Sequence, residues 1–231
     1  MVVKIPETKT ERQRQIEKNN ETRLRRARLW MLRAQAAIKY PAAKSLDDSA
    51  ARFIFWWIAF EAAYFNKSNT GRDGMKSFIR KVISINEKKA NKMTKVWKST
   101  IRKLVTLPPT HNEFWAQGKN RTYNEWERKF KNENEKCETG AADEVLPIVF
   151  ERLRVVRHQI FHGANSRHKS YGGLQVKCGA KLLAAFVPYF IETIQESIDK
   201  DHKKSWGKVP FPRQGTRAQK DLKPVWVKQE K

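Results

Sequence analysis

Apolar positions in this chain recur at three- and four-residue steps, and nowhere is the strict alternation of a half-buried strand sustained. Residues 7–39 hold strong helix formers without glycine or proline. Ile16, Leu24, Ala27, Leu29 to Leu32 and Ala36 to Ile38 form a ragged apolar stripe there, which predicts one long helix. Ser45, Asp47 and Asp48 suit a helix start. After them Phe53-Ile54-Phe55-Trp56-Trp57-Ile58-Ala59-Phe60 is apolar on every side and is predicted to lie at the centre of the fold. Asn66 to Gly74 has loop composition, and Met75 to Ile85 and Asn91 to Leu107 read as two shorter amphipathic helices, the second ended by Pro108 and Pro109.

From Thr110 to Thr139 the chain is polar and aromatic. Trp126 and Phe130, four apart, predict a helical pair, with base stacking by an exposed aromatic as the alternative. Asp143 or Glu144 opens the next helix, whose core face is Leu146, Val149, Leu153, Val156 and Ile160. Its opposite side mixes Glu151, Arg154, Val155, His158 and His162 with the edge of Phe161, and that mixture predicts a covering partner. Gly163, Asn165, Ser166, Gly172 and Gly173 make a break. Leu174 to Ile198 then reads as a long apolar helix with Leu182, Leu183, Phe186, Phe190 and Ile194 on one stripe and Pro188 placed to kink it.

The expected fold is therefore all-α, a helical bundle of five to seven helices around one core. Residues 1–44 form a basic helical extension, 45–202 the bundle with a polar and aromatic insertion at 110–140, and 203–231 a tail with nine basic residues, two acidic residues and three prolines.

Charge turns this outline towards a partner. The chain carries 48 basic and 24 acidic residues, a formal charge of +24, and such an imbalance favours a polyanion through phosphate neutralisation and counterion release. Nucleic acid is the first candidate; a Lys-rich protein with no nucleic-acid substrate is the bland alternative. The arginines Arg23, Arg25, Arg26, Arg28 and Arg33 could face phosphate or simply solvate a helix face. Two cysteines, Cys137 and Cys178, argue against a disulfide framework. The most apolar stretch, Phe53 to Phe65, is too short to span a bilayer and is broken by Glu61, so a soluble, cytoplasmic protein with no membrane partner is expected.

The candidate chemistry lies in Arg157-His158-Gln159-Ile160-Phe161-His162-Gly163. Imidazole titrates near neutral pH and can take or give a proton, while guanidinium offers fixed donors matched to phosphate oxygens. On an unbroken helix Arg157 and His162 would stand about 140° apart; the glycine after His162 allows the last turn to loosen, or a twofold dimer could pair His162 of one chain with Arg157 of another. No paired carboxylates are spaced to hold two metal ions, which disfavours a two-metal nuclease and implies no cofactor. General acid–base chemistry on RNA remains, with imidazole assisting the ribose 2′-hydroxyl and Arg157 stabilising charge on the phosphoryl oxygens. Two other readings stay open. His158 and His162 could ligate a metal with His168 as third ligand, or the histidines could satisfy hydrogen bonds in an interhelical seam.

An Arg, then a polar residue, then a His four to six positions after that Arg at the end of an apolar helix resembles the signature of the HEPN superfamily of helical ribonucleases. Arg157, His158 and His162 fit it. Arg152 and His158 also satisfy the spacing, but Leu153 stands where that family prefers Asn, Asp or His. Trp56-Trp57-Ile58-Ala59-Phe60-Glu61-Ala62-Ala63-Tyr64 is similar to the aromatic helix before the motif helix in Apea-like HEPN domains, with Glu61 towards the site. The resemblance covers roughly residues 45–200. It implies a four-helix core, a homodimer through the motif helices, and a metal-independent endoribonuclease of a toxin–antitoxin, phage-defence or CRISPR-linked system, with an antitoxin or defence complex as partner. It implies that Arg157 binds the scissile phosphate, His162 acts as acid or base, and His158 orients or assists. Arg154, Asn165, Arg167, Lys203 and Lys204 are the expected RNA contacts. A non-catalytic RNA-binding or scaffolding protein with a vestigial motif is the alternative.

Overall fold

A computed structural model describes residues 10–39, 49–66, 71–107, 123–161 and 171–209. The described residues form eight α-helices and no strand: α1 Glu11–Lys39, α2 Ser49–Tyr64, α3 Gly71–Ile85, α4 Glu87–Val96, α5 Lys98–Val105, α6 Tyr123–Thr139, α7 Ala142–Phe161 and α8 Tyr171–Lys200. The protein is an all-α bundle.

Helices α2, α7 and α8 make its centre, as their apolar character requires. Phe60, Phe150 and Phe190, one from each, meet with ring centroids 4.5, 5.3 and 5.9 Å apart, and such pairs contribute about 0.5–1.5 kcal/mol each beyond their burial. Phe78 of α3 adds an edge contact to Phe60 at 6.0 Å and to Phe190 at 5.9 Å. The helices close up at Gly179, where an added Cβ would fall 2.6 Å from the Phe53 ring and 2.9 Å from Leu153. Leu182, Leu183, Phe186, Phe190 and Ile194 are wholly buried. Within Gly173–Lys200 a window is apolar enough to cross a membrane, but 67% of that window is buried inside the bundle, as in a core helix of this kind.

Helix α1 runs antiparallel to α2, with Arg23 against Ala63 and Trp30 stacked on Phe55, and it buries Leu24, Ala27 and Ala34. Helix α8 continues through Pro188.

Three features depart from the periodicity. The single helix expected over 91–107 starts at Glu87, where the Asn86 side chain caps it by accepting from the Lys89 N–H at 3.2 Å, and breaks at Trp97 (φ −92°, ψ 5°). The bend lets α4 bury Ala90 and Thr94 while α5 buries Ile101, Leu104 and Val105. Part of the polar and aromatic segment is helix α6, tied to α5 by Glu138 with Arg102 (3.0 Å) and Lys98 (3.5 Å) and to α7 by Glu133 with Arg152 (2.8 Å). The Trp126 side chain of the expected Trp126–Phe130 pair lies outside the described residues. Finally, the second face of α7 is largely covered from within the chain: Glu151 and Val155 are 6% and 5% exposed, and Arg72 of α3 pairs with Glu151 at 3.1 Å. Phe161 stays 54% exposed.

Past α8 the chain folds back as a strap, Asp201 to Val209. Trp206 is buried against Phe78 and donates its indole N–H to the Ser197 hydroxyl at 3.0 Å.

Candidate functional site

Four segments converge where α7 ends. Arg157 of α7, Glu61 of α2 and Arg26 of α1 line one cavity of about 560 Å³, with Trp30, Ile58, Ala62 and Phe65 supplying apolar wall and Val209 of the strap closing a side. Glu61 and Arg157, expected from the sequence to share a site, are thus brought together. Two guanidinium groups and one carboxylate leave the lining net positive, which suits an anion with an apolar portion.

Arg157 is half-buried, and its guanidinium lies over the ring of Phe161, one turn on, at 4.7 Å. Its Nε is buried with no hydrogen-bond partner. Among the described residues no ion pair joins Arg157 to Glu61, so the guanidinium is positioned by stacking and leaves donors for a ligand. Tyr64 stands beside this pair, one turn after Glu61. Burial first, and then the Glu61 carboxylate, push its phenol up to about 12, while Arg157 and Arg154 pull the other way. The phenol is thus a neutral O–H at any ordinary pH.

Arg152, the other candidate arginine, is placed quite differently. It is 3% exposed, donates to Glu133 at 2.8 Å and lies 5.1 Å from the Phe130 ring. Burial lowers its pKa, and Glu133 counters that. Arg152 is part of the interior, and the Arg157 frame alone opens on the cavity.

His158 and Arg154 do not line the cavity. They meet on the neighbouring face, with Arg154 Nη1 3.4 Å from His158 Nε2 and Arg154 Nη2 donating to Glu151 at 3.0 Å. A guanidinium only donates, so Nε2 can serve there only as acceptor. Lys203 is exposed and Lys204 half-buried on the strap, where the Lys204 carbonyl accepts from Asn20 at 2.9 Å. His162, Asn165, Arg167 and His168 lie outside the described residues, His162 directly after the last residue of α7. Among the described residues no group of three His, Cys, Asp or Glu is placed to hold a metal ion.

Sequence reasoning missed Arg26, Trp30 and Tyr64 as neighbours of the motif. Tyr64 carried a signal, three positions after Glu61 and so on the same helical face. Arg26 and Trp30 carried none, because their role depends on α1 lying along α2. Of the α1 arginines, Arg25, Arg28 and Arg33 are exposed, whereas Arg23 is 1% exposed and faces the interior.

No family model matches the chain, and neither a curated protein nor a solved structure matches it.

Proposed function

We propose that this protein is a metal-independent endoribonuclease of the HEPN type, working as a homodimer that joins two motif helices. The observation that carries the reading is the cavity at the end of α7, where Arg157, with an unpartnered Nε, faces the same space as Glu61 and Arg26. In the sequence His162 directly follows Phe161, the last residue of α7. In the proposed reaction an imidazole, assigned to His162, takes the proton of a ribose 2′-hydroxyl. That oxygen attacks the adjacent phosphorus, the bond to the 5′-oxygen breaks, and the leaving oxygen is protonated by imidazolium. The products are a 2′,3′-cyclic phosphate and a 5′-hydroxyl end. Arg157 stabilises the charge gathering on the non-bridging oxygens. His158 orients or assists, and Glu61 supports. Exposed Arg25, Arg28 and Arg33, with Lys203 on the strap, draw the RNA electrostatically; Arg154, Asn165, Arg167 and Lys204 are further proposed contacts. A cytoplasmic toxin or defence effector, restrained by an antitoxin or complex, is the setting the motif implies.

The test is cleavage of labelled total and structured RNA in EDTA by the parent, His162→Ala and Arg157→Ala proteins, each confirmed folded. The expected result is cleavage by the parent alone, with cyclic phosphate ends. Equal cleavage by either variant would sink the proposal. A second reading, a non-catalytic RNA-binding scaffold, is favoured by the charge of +24. It predicts salt-sensitive binding unchanged by His162→Ala and no cleavage by any of the three proteins.

A further inference from the structure

We infer that Arg23 is a positioning residue for the Arg157 cavity, clamping the strap Asp201–Val209 to the middle of α1 and the end of α2 so that Val209 holds one wall in place. Electrostatics alone would not bury an arginine here. Arg23 is 1% exposed, and among the described residues it has no carboxylate partner. Burial without such a partner holds its guanidinium down at about 10. A buried, uncompensated cation is costly, and an apolar side chain would fill the space more cheaply.

What Arg23 supplies instead is a planar fork that binds several oxygens at once. Its Nη1 donates to the Ala63 carbonyl at 2.7 Å and to the Phe65 carbonyl at 3.1 Å, and its Nη2 donates to the Gly207 carbonyl at 3.1 Å. The first two carbonyls belong to the end of α2 and the third to the strap. These segments, with α1 itself, supply the whole cavity lining apart from Arg157. Arg26 lies one turn beyond Arg23, Phe65 is itself bonded to it, and Val209 follows Gly207 by two residues. One guanidinium therefore sets the mutual distance of three walls.

The strap is shaped to take this clamp. Trp206 seats it in the core, the Lys81 ammonium lies 4.2 Å from the indole ring and donates to the Ser205 carbonyl at 3.1 Å, and Asn20 donates to the Lys204 carbonyl at 2.9 Å. Gly207 has φ +87°, and a Cβ there would come within 2.9 Å of the Asn66 side chain. Any other residue would be strained in backbone and in space, and would lift the Gly207 carbonyl away from Arg23.

For its activity arm the inference rests on the ribonuclease reading, so two of the three readouts do not use activity. Full-length parent, Arg23→Met, Arg23→Lys and Gly207→Ala proteins are compared. The readouts are backbone hydrogen exchange of residues 204–209 against α8, modification of Arg157 by a dicarbonyl reagent mapped by peptide mass, and kcat against KM for RNA cleavage. Gly207→Ala leaves the helices intact and covers the case in which Arg23→Met does not fold.

The expected result is faster strap exchange and faster Arg157 modification in Arg23→Met and Gly207→Ala, at unchanged α8 protection, with partial recovery in Arg23→Lys. Cleavage should fall on the order of 100-fold, mainly in kcat, as for a misplacement of about 1 Å. Strap exchange and Arg157 modification like the parent's in the folded variants would overturn the inference whether or not the parent cleaves RNA. Loosening of the strap with undiminished cleavage would overturn the positioning role. A parent without cleavage would count against the ribonuclease reading alone, and the exchange and modification arms would still decide the clamp.

Discussion

Helix α7 carries two arginines five residues apart, and the protein keeps them in opposite ways. Arg152, at the middle of the helix, is buried, paired with Glu133 at 2.8 Å and stacked near Phe130. Arg157, about one turn before the helix end, is half-buried, stacked only on exposed Phe161, and lines an open cavity with its Nε unpartnered. Both arginines stand at an acceptable distance from a histidine in the sequence, so spacing alone treats them alike. The difference lies in what packs around them. A guanidinium whose donors are consumed inside holds helices together, while one left with spare donors beside a cavity can meet a ligand.

Replacing the apolar core face of α7 should have the largest effect. Phe150→Ala removes a ring that meets both Phe60 and Phe190 and should cost about 3–5 kcal/mol, a fall in Tm of roughly 10 °C, read by thermal unfolding. Glu133→Ala comes next, because it leaves the buried Arg152 guanidinium without that carboxylate; a loss of about 3 kcal/mol is expected. Arg152→Met should cost less than Glu133→Ala, since Glu133 keeps Lys129 at 3.9 Å and is the more exposed member of the pair. Equal losses would show that the pairing of Arg152 is not what burial makes expensive.

Alkaline pH probes the same interior. Tyr64, Tyr189 and Cys137 all hold their protons up to about 12 in the folded protein, chiefly through burial, against ordinary values of 10.0 for the phenols and 9.0 for the thiol. Their folded pKa values are raised, so the unfolded chain releases these protons first. Stability is accordingly intact below pH 9 and falls as pH rises from 9 towards 12, by about 2 kcal/mol for one such phenol. A Tm profile should be level to pH 9 and then decline, and Cys137→Val should make the first part of that decline shallower, leaving the share of Cys178, whose thiol burial also pushes up.

The smallest effect on stability belongs to Arg157. Arg157→Ala should change unfolding free energy by no more than about 1 kcal/mol, while removing the proposed cleavage; a large destabilisation would show that Arg157 is structural in the manner of Arg152.

Much of the fold could be read from residue order. Helices α1, α2, α3, α7 and α8 follow apolar stripes strong enough to stand without context, and the all-round apolar character of Phe53 to Phe60 admits only a central place. The break at Trp97 was not legible, and of the helix Tyr123–Thr139 only the spacing of Trp126 and Phe130 was read as helical. A bend that serves two separate buried faces has no period of its own, and α6 owes its packing to ion pairs with residues far away in sequence. The mixed side of α7 was read as covered by a partner, and Glu151 is covered instead from within the chain, by Arg72 and Arg154.

The all-α class, the central helices and the basic balance are written in local period and composition, whereas the pairing of Glu61 with the Arg157 motif was an expectation of the family resemblance. Only the tertiary structure decided that Arg152 is spent inside while Arg157 opens on a cavity, that Arg26 and Trp30 stand opposite it, and that Arg23 joins α2 to the strap. Those outcomes rest on contacts between segments tens to hundreds of residues apart, such as Arg23 with Gly207, and no local pattern encodes which buried carbonyl a guanidinium will find.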